Sequence, residues 1–349
     1  LLKPHFNYYQ MKKLIIWVFL LACLTVTSVN AQVFLIERGA SSFTYPNIKA
    51  AVDALQDGDK LYLPPGIFSL EAYSWTGYNA NESYPNTLAV GKRVAIYGAG
   101  YNQGASSTIF RNGSFRFIQG ATGSSVTGVR FDGPIYLDKA SNVNMSRCLF
   151  TSYVYFTDFS TNDYVNECEF LQSINMSSQS SAVFTKCIFN NSGNGFHNST
   201  LSNNLFMYNY GIVFTNCSMI NNIIVGNRND TNTALTVSGT NNSFSYNLWI
   251  GTTMQYNPLN NNTFSNEITE VPLSDTFEDF NVGNYHLKAT SVGKNAANDG
   301  RDVGIYGTAF PFKESRLPSI PYFSVKAISP ETDASGNLPV NLKIEAQER

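Results

Sequence analysis

The sequence predicts an all-β solenoid, a parallel β-helix, and three observations carry that prediction. First, one phrase recurs about every twenty residues, as Arg147-Cys148-Leu149-Phe150, Glu167-Cys168-Glu169-Phe170, Lys186-Cys187-Ile188-Phe189, Asn203-Asn204-Leu205-Phe206 and Asn221-Asn222-Ile223-Ile224. Its pivots at 148, 168, 187, 204 and 222 are spaced by 20, 19, 17 and 18, with Asn replacing Cys in the last two. Val129-Arg130-Phe131 fits one period upstream, and Asn247-Leu248-Trp249 follows after a gap of 25. Second, triplets fall between these phrases: Ile135-Tyr136-Leu137, Val154-Tyr155-Phe156, Ile174-Asn175-Met176, Gly195-Phe196-His197, Ile212-Val213-Phe214 and Leu235-Thr236-Val237. Their outer members are mostly apolar and the middle one varies, which is strand alternation with i and i+2 facing inward. Third, the intervening residues are Asn, Ser, Gly and Thr, leaving no room for a helix. Each period is read as two short strands, a unit that buries its apolar face only by stacking on copies of itself.

From the N-terminus, Leu1 to Gln10 match neither a signal nor a domain. At Met11 a secretory signal pattern starts: Lys12 and Lys13, an apolar run from Leu14 to Ala22, and the small-residue site Val29-Asn30-Ala31 before Gln32. The run is short for a membrane span. Leu20-Leu21-Ala22-Cys23 is a loose lipobox and the rival reading, in which Cys23 is lipidated. Its Leu at the second position is unusual, so cleavage after Ala31 is the expectation. The expected location is the periplasm, the outer cell surface or the medium, with no membrane insertion after cleavage.

Removing residues 1–31 takes away three of the 23 Lys and Arg and none of the 25 Asp and Glu, leaving a formal net charge of −5. Mild acidity with scattered basic residues argues against nucleic acid and anionic membrane surfaces. With 14% charged and 43% hydrophobic residues the chain is a folded one. Residues 32–310 are long enough for one continuous core.

Tyr45 to Leu70 reads as a capping helix and an entry strand. Pro46 opens the helix, Ile48, Ala51, Val52 and Leu55 form its apolar stripe, Asp57-Gly58-Asp59 ends it, and Lys60 to Leu63 is a strand before Pro64-Pro65-Gly66. Glu71 to Asn86 carries Tyr73, Trp75, Tyr78 and Tyr84 on a loop, and Arg93 to Gly98 returns as strand and turn. After Asn262 the repeat loses its phase. Residues 311–349 are read as an extended segment and a hairpin, Tyr322 to Ile328 with Leu338 to Ala346, that caps or flanks the stack.

The repeats, the short helix and the Gly58-Asp59 to Pro64-Pro65-Gly66 entry resemble the right-handed parallel β-helix, or pectate-lyase-like, superfamily over most of the chain. The Tyr285-His286-Leu287 and Asp302 to Tyr306 segments resemble the last coils of secreted bacterial members. The resemblance implies a right-handed coil and polysaccharide as the partner. It also implies that a lyase of this kind would hold Ca²⁺ with clustered acids and use Arg or Lys as base. No Asn-Thr-Asp, Asp-Asp, Arg-x-Lys or Gly-His-Gly motif of the pectin hydrolases is present, so no cofactor is indicated and Ca²⁺ is left open.

The remaining candidates are few. Cys148, Cys168 and Cys187 share one column, whose parallel Cβ vectors favour stacked thiols over disulfides. No His lies at metal-ligand spacing, so no metal site is expected. His197 is placed by phase in the inward column of Leu137, Phe156, Met176 and Phe214, and His286 has no constellation around it. Asp158 and Asp163 near one coil junction, Asp138 one coil earlier and Lys139 are the candidates for a divergent catalytic site, and solvated turn residues are the competing account. Tyr136 and Tyr155, nineteen apart in consecutive triplets, are expected to project outward as an aromatic platform for a sugar, with Tyr153, Asp158 and Asn175 as hydrogen-bonding neighbours. An aromatic pair that only stabilises the sheet, by about 0.2–1 kcal/mol, is the alternative. The functional expectation is polysaccharide binding without catalysis, ahead of a divergent lyase or hydrolase and of a passive shaft. Oligomeric state is not legible.

Overall fold

Side-chain alternation produces three strands per coil, one more than the triplets alone suggest. In the computed structural model, Asn144–Ser146, Leu149–Phe150 and Val154–Thr157 make up one coil. The strand missing from the sequence reading lies just before each pivot, and in several coils it holds a single apolar residue, Met145, Leu201 or Phe244, between polar ones. A lone apolar residue among Ser, Thr and Asn reads as turn. The structure describes residues 33–349 apart from 80, 102–106, 191–194, 208–211, 227–234, 237–238, 252–253, 256–259, 318–321, 329–331, 333–334, 338–339 and 346–349. The signal-peptide reading, Cys23 included, lies outside them.

The coils stack into three sheets of 12, 10 and 7 strands, parallel throughout except where Phe34–Arg38 pairs antiparallel with Ser41–Tyr45 and with Lys60–Tyr62. A short helix, Ile48–Asp53, packs beside these first strands with Ile48, Ala51 and Val52 buried, and Asn47 accepts the Ala50 N–H to start it. The chain passes from the 12-stranded (first) sheet to the 10-stranded (second) and then the 7-stranded (third). Inward positions of the second sheet form a phenylalanine column, Phe110, Phe131, Phe150, Phe170, Phe189 and Phe206, whose neighbouring centroids lie 4.6–5.8 Å apart. Stacking at strand spacing buries large rings on a narrow axis.

Two corners recur along the stack. Residues preceding the first-sheet strands, such as Asn142, Asn162, Asn198, Asn216, Asn241 and Asn261, have φ between 48° and 60°. Those preceding the pivots, Arg147, Glu167, Lys186, Asn203 and Asn221, have φ between 49° and 57°. Asn bears the left-handed region best among residues with a Cβ, which explains its abundance.

Inside the pivot corner a side chain takes the backbone N–H of the preceding coil. Asn204 accepts from Cys187 N at 2.8 Å, Asn222 from Asn204 N at 2.9 Å, and Asn247 from Asn222 N at 2.9 Å. Cys148, Cys168 and Cys187 occupy the same column as free buried thiols, and Cys217 is free and buried in the neighbouring corner. Burial pushes Cys187 up to about 12 and Cys217 up to about 11.

The outer face of the second sheet is apolar from Ile188 onward and is covered by later chain. Ile188, Leu205, Ile223 and Leu248 form a second core with Phe277, Leu287, Val303, Ile305 and Phe312. The covering segment is fastened along the pivot corner. Gly304 N donates to Asn221 O, Lys186 Nζ to Phe310 O, and Arg147 Nη1 to Leu317 O. Arg147 and Lys186 also grip Glu167, each at 2.6 Å, in a buried triad. Tyr322–Ile328 and Val340–Glu345 form an antiparallel pair. Among the described residues no helix is long and apolar enough to cross a membrane.

Candidate functional site

The third sheet's outward column runs through Ala89, Arg116, Tyr136, Tyr155, Asn175, Gly195 and Val213, in register from strand to strand. Tyr136 and Tyr155 stack with centroids 4.7 Å apart and planes 8° from parallel. That separation is the strand spacing, so the rings lie across the coil axis and turn faces to each other and edges to solvent. Arg116 covers the other face of Tyr136, its Cζ 3.9 Å from the centroid. The flat two-ring strip expected from the sequence is therefore replaced by a stack. One face, that of Tyr155 toward Asn175, has no stacking partner among the described aromatic pairs. Beyond it the column drops to the exposed Asn175 and to Gly195, where an added Cβ would meet nothing within 4 Å. Tyr153 is exposed beside Tyr155, 6.1 Å between centroids. Burial, then the neighbouring Tyr136 and Tyr153, raises the Tyr155 hydroxyl, which stays a neutral donor at physiological pH.

Arg116 belongs to the site and was missed, although Phe115-Arg116-Phe117 repeats the triplet pattern twenty residues before Tyr136. It is buried against Tyr136, Tyr84 and Trp75, pairs with Asp138 at 3.0 Å, and its Nε has no described partner. The aromatic loop forms a small hairpin, Ser74–Trp75 with Tyr84–Pro85, that stacks Trp75 on Tyr84 and lays both on Arg116. Tyr78 donates to Asp138 O at 2.8 Å, and Lys139 Nζ lies 4.4 Å from the Tyr78 centroid.

Of the four catalytic candidates, Asp138, Lys139 and Asp158 lie within reach of one another's charges, and Asp163 stands apart from them. Asp138 is buried, not solvated, and its carboxyl is raised by burial, against the opposing Arg116 charge. Asp158 is exposed and acts on Asp138 through its charge. Asp163 is fully buried in the corner ladder, its Oδ1 accepting Val143 N at 2.8 Å. Ser160 Oγ lies 2.7 Å from Ala140 O and 2.5 Å from Asp163 Oδ2. A hydroxyl has one proton, so when it serves the Ala140 carbonyl the second contact is made by a proton on the Asp163 carboxyl. Burial raises that carboxyl to about 7, so the neutral acid predominates below that pH. Asp163 stands in register where later coils carry Ser199, Cys217 and Asn242, and is a structural ladder residue.

Both histidine placements need correction. Phe196, not His197, enters the inward column beside Phe214, and His197 pairs with Thr215 on the outward side, half-buried. Gly195 in the outward position shifts the phase by one. His286 does have neighbours: Nε2 lies 3.0 Å from Glu314 Oε1, and its ring stacks on Tyr306 at 3.8 Å. Tyr306 donates to the same Glu314 oxygen at 2.9 Å. These partners sit 20 and 28 residues downstream, outside any repeat. No group of three or more His, Cys, Asp and Glu that could hold a metal occurs among the described residues. No family model matches the chain, and no curated protein matches it.

Proposed function

We propose that this chain is a secreted or cell-surface β-solenoid that binds polysaccharide without cleaving it. The observation that supports this reading is the uncovered face of Tyr155 above the step to Asn175 and Gly195. An aromatic face beside a small polar floor suits the C–H face of a pyranose, with the Asn175 amide and the Tyr153 hydroxyl beside it for sugar hydroxyls. The stack of Tyr136 and Arg116 behind it fixes the ring, so little rotamer freedom is lost on binding. Soluble plant, algal and host polysaccharides incubated with the purified protein and with Tyr155→Ala test the reading. The expected result is retention of at least one glycan by the parent and loss by the variant, with folding intact. Equal retention by both removes Tyr155 from the site. New reducing ends or unsaturated uronates replace binding by catalysis.

A further inference from the structure

Two of the three sheets have outer faces partly occupied, one by the second core and one by the aromatic hairpin. The first sheet is different. From Ala95–Tyr97 to Thr263–Ser265, nine consecutive strands each place two side chains outward, and none of those eighteen is charged. Protein surfaces built for solubility carry charge at roughly a quarter to a third of positions. The column beside it is uncharged over its later coils as well. Asn198, Asn216, Asn241 and Asn261 are exposed and joined amide to amide, with donor–acceptor distances of 3.0, 3.1 and 3.2 Å. Between this amide wall and the exposed hydroxyls of Thr200, Ser218, Ser243 and Thr263 lies a shallow groove of about 420 Å³.

We infer that this groove is a second binding surface, for a neutral polysaccharide in ordered, insoluble form, with a chain lying along the solenoid axis. This rests on the polysaccharide-binding reading but uses a different face. Three properties select the ligand. The lining carries no charge, so phosphate, sulfate and uronate groups gain nothing there, and a neutral polymer avoids desolvating an unpaired ion. Asn216, Asn241 and Asn261 each spend one N–H on the preceding amide, while Asn198 gives its N–H groups to Ser178 O and Ser180 O. The three donors keep a second N–H, and each hydroxyl both donates and accepts. A polyol matches both roles. Finally, the groups repeat at the strand spacing of about 4.8 Å over four coils, a span of about 14 Å. A rigid repeating array favours a ligand that itself repeats and stays extended. The few methyl groups in the groove favour a hydroxylated polymer over ice, which is the other periodic hydrogen-bonding solid.

The test uses the full chain, microcrystalline cellulose and insoluble chitin as probes, and calcium pectate as the charged control. Ser218→Lys with Ser243→Lys places charge and bulk in the groove, while Ser218→Thr with Ser243→Thr keeps the hydroxyls. The parent and the Thr pair are expected to bind at least one neutral solid, and the Lys pair to bind it at least ten-fold more weakly with an unchanged melting temperature. Equal binding by the Lys pair, preference for calcium pectate, or partition into growing ice instead of polymer overturns the inference. Should the Lys pair unfold, Asn241→Asp carries the same test at the amide wall. Tyr155→Ala separates the two readings. Soluble glycan binding that needs Tyr155, with no binding to any neutral solid, overturns this inference and leaves the proposed site standing. Solid binding lost only in the Lys pair, with Tyr155→Ala inert in both assays, does the reverse.

Discussion

Asp163 shows how the ladder converts an acid into a structural group. Its folded carboxyl sits at about 7 against an ordinary 3.8, so the folded chain holds a proton that the unfolded chain releases. The stabilisation is therefore complete below about pH 4 and is lost as pH rises through about 7, with a loss on the order of 4 kcal/mol. Glu267, which ends the pivot ladder by accepting from Asn247 and from the Trp249 indole, is also raised to about 7 by burial and acts in the same direction. Asp163→Asn supplies the neutral amide that Asn242 supplies in a later coil. The expected result, read by thermal melts, is a higher melting temperature at pH 8 and a smaller rise at pH 5. The thiols give a second check. All four described cysteines are free, so the unfolded, non-reduced protein should take up four thiol reagents at these positions. A count of two or fewer would mean a disulfide.

At the scale of the corner, hydrogen bonds run from coil to coil without a break. Asn222 accepts from Asn204 N and Nδ2 and donates to Leu201 O. Asn222→Ala leaves those buried groups unpaired and is expected to cost about 2–4 kcal/mol in denaturant melts, each orphaned group contributing about 1–3. Asn222→Cys restores the residue used earlier in the column and should cost less. These columns were legible as a recurring Cys or Asn, because a corner in the left-handed region with a buried acceptor admits few residue types. The strand before each pivot was not legible, since one buried side chain per strand gives no alternation. Tyr136 and Tyr155 were placed outward from spacing alone, but spacing says nothing of ring orientation. Strand spacing stacks the pair, and Arg116 covers the far face of Tyr136. His286 and Glu314 meet only because the late segment folds back on the stack, and no period in the sequence encodes that return.

The whole molecule depends on that return. Glu167 holds two buried cations that also donate to the backbone of the covering segment, at Phe310 and Leu317. Glu167→Ala leaves both cations unpaired, and breaking such a set is expected to cost about 3–5 kcal/mol. Hydrogen exchange should rise first at 304–317 and later in the Phe150 to Phe206 coils. Removing residues 268–349 would uncover Ile188, Leu205, Ile223 and Leu248 together, and the truncated chain should self-associate in light scattering.

The direction of the covering segment has a mechanical consequence. Asn298 bonds at Asn221, Gly304 at Asn203 and Asn221, Phe310 at Lys186, and Leu317 at Arg147. Its contacts follow the stack backward, from later coils to earlier ones. A load on the C-terminal side would reach Leu317 first and open the fastenings one at a time, as a zipper opens, not all at once as a sheared sheet does. In single-molecule pulling this predicts a run of small, low-force extensions before any coil unwinds. A protein tethered to its surroundings through that end would yield length early and keep its coils, with both proposed binding faces, intact.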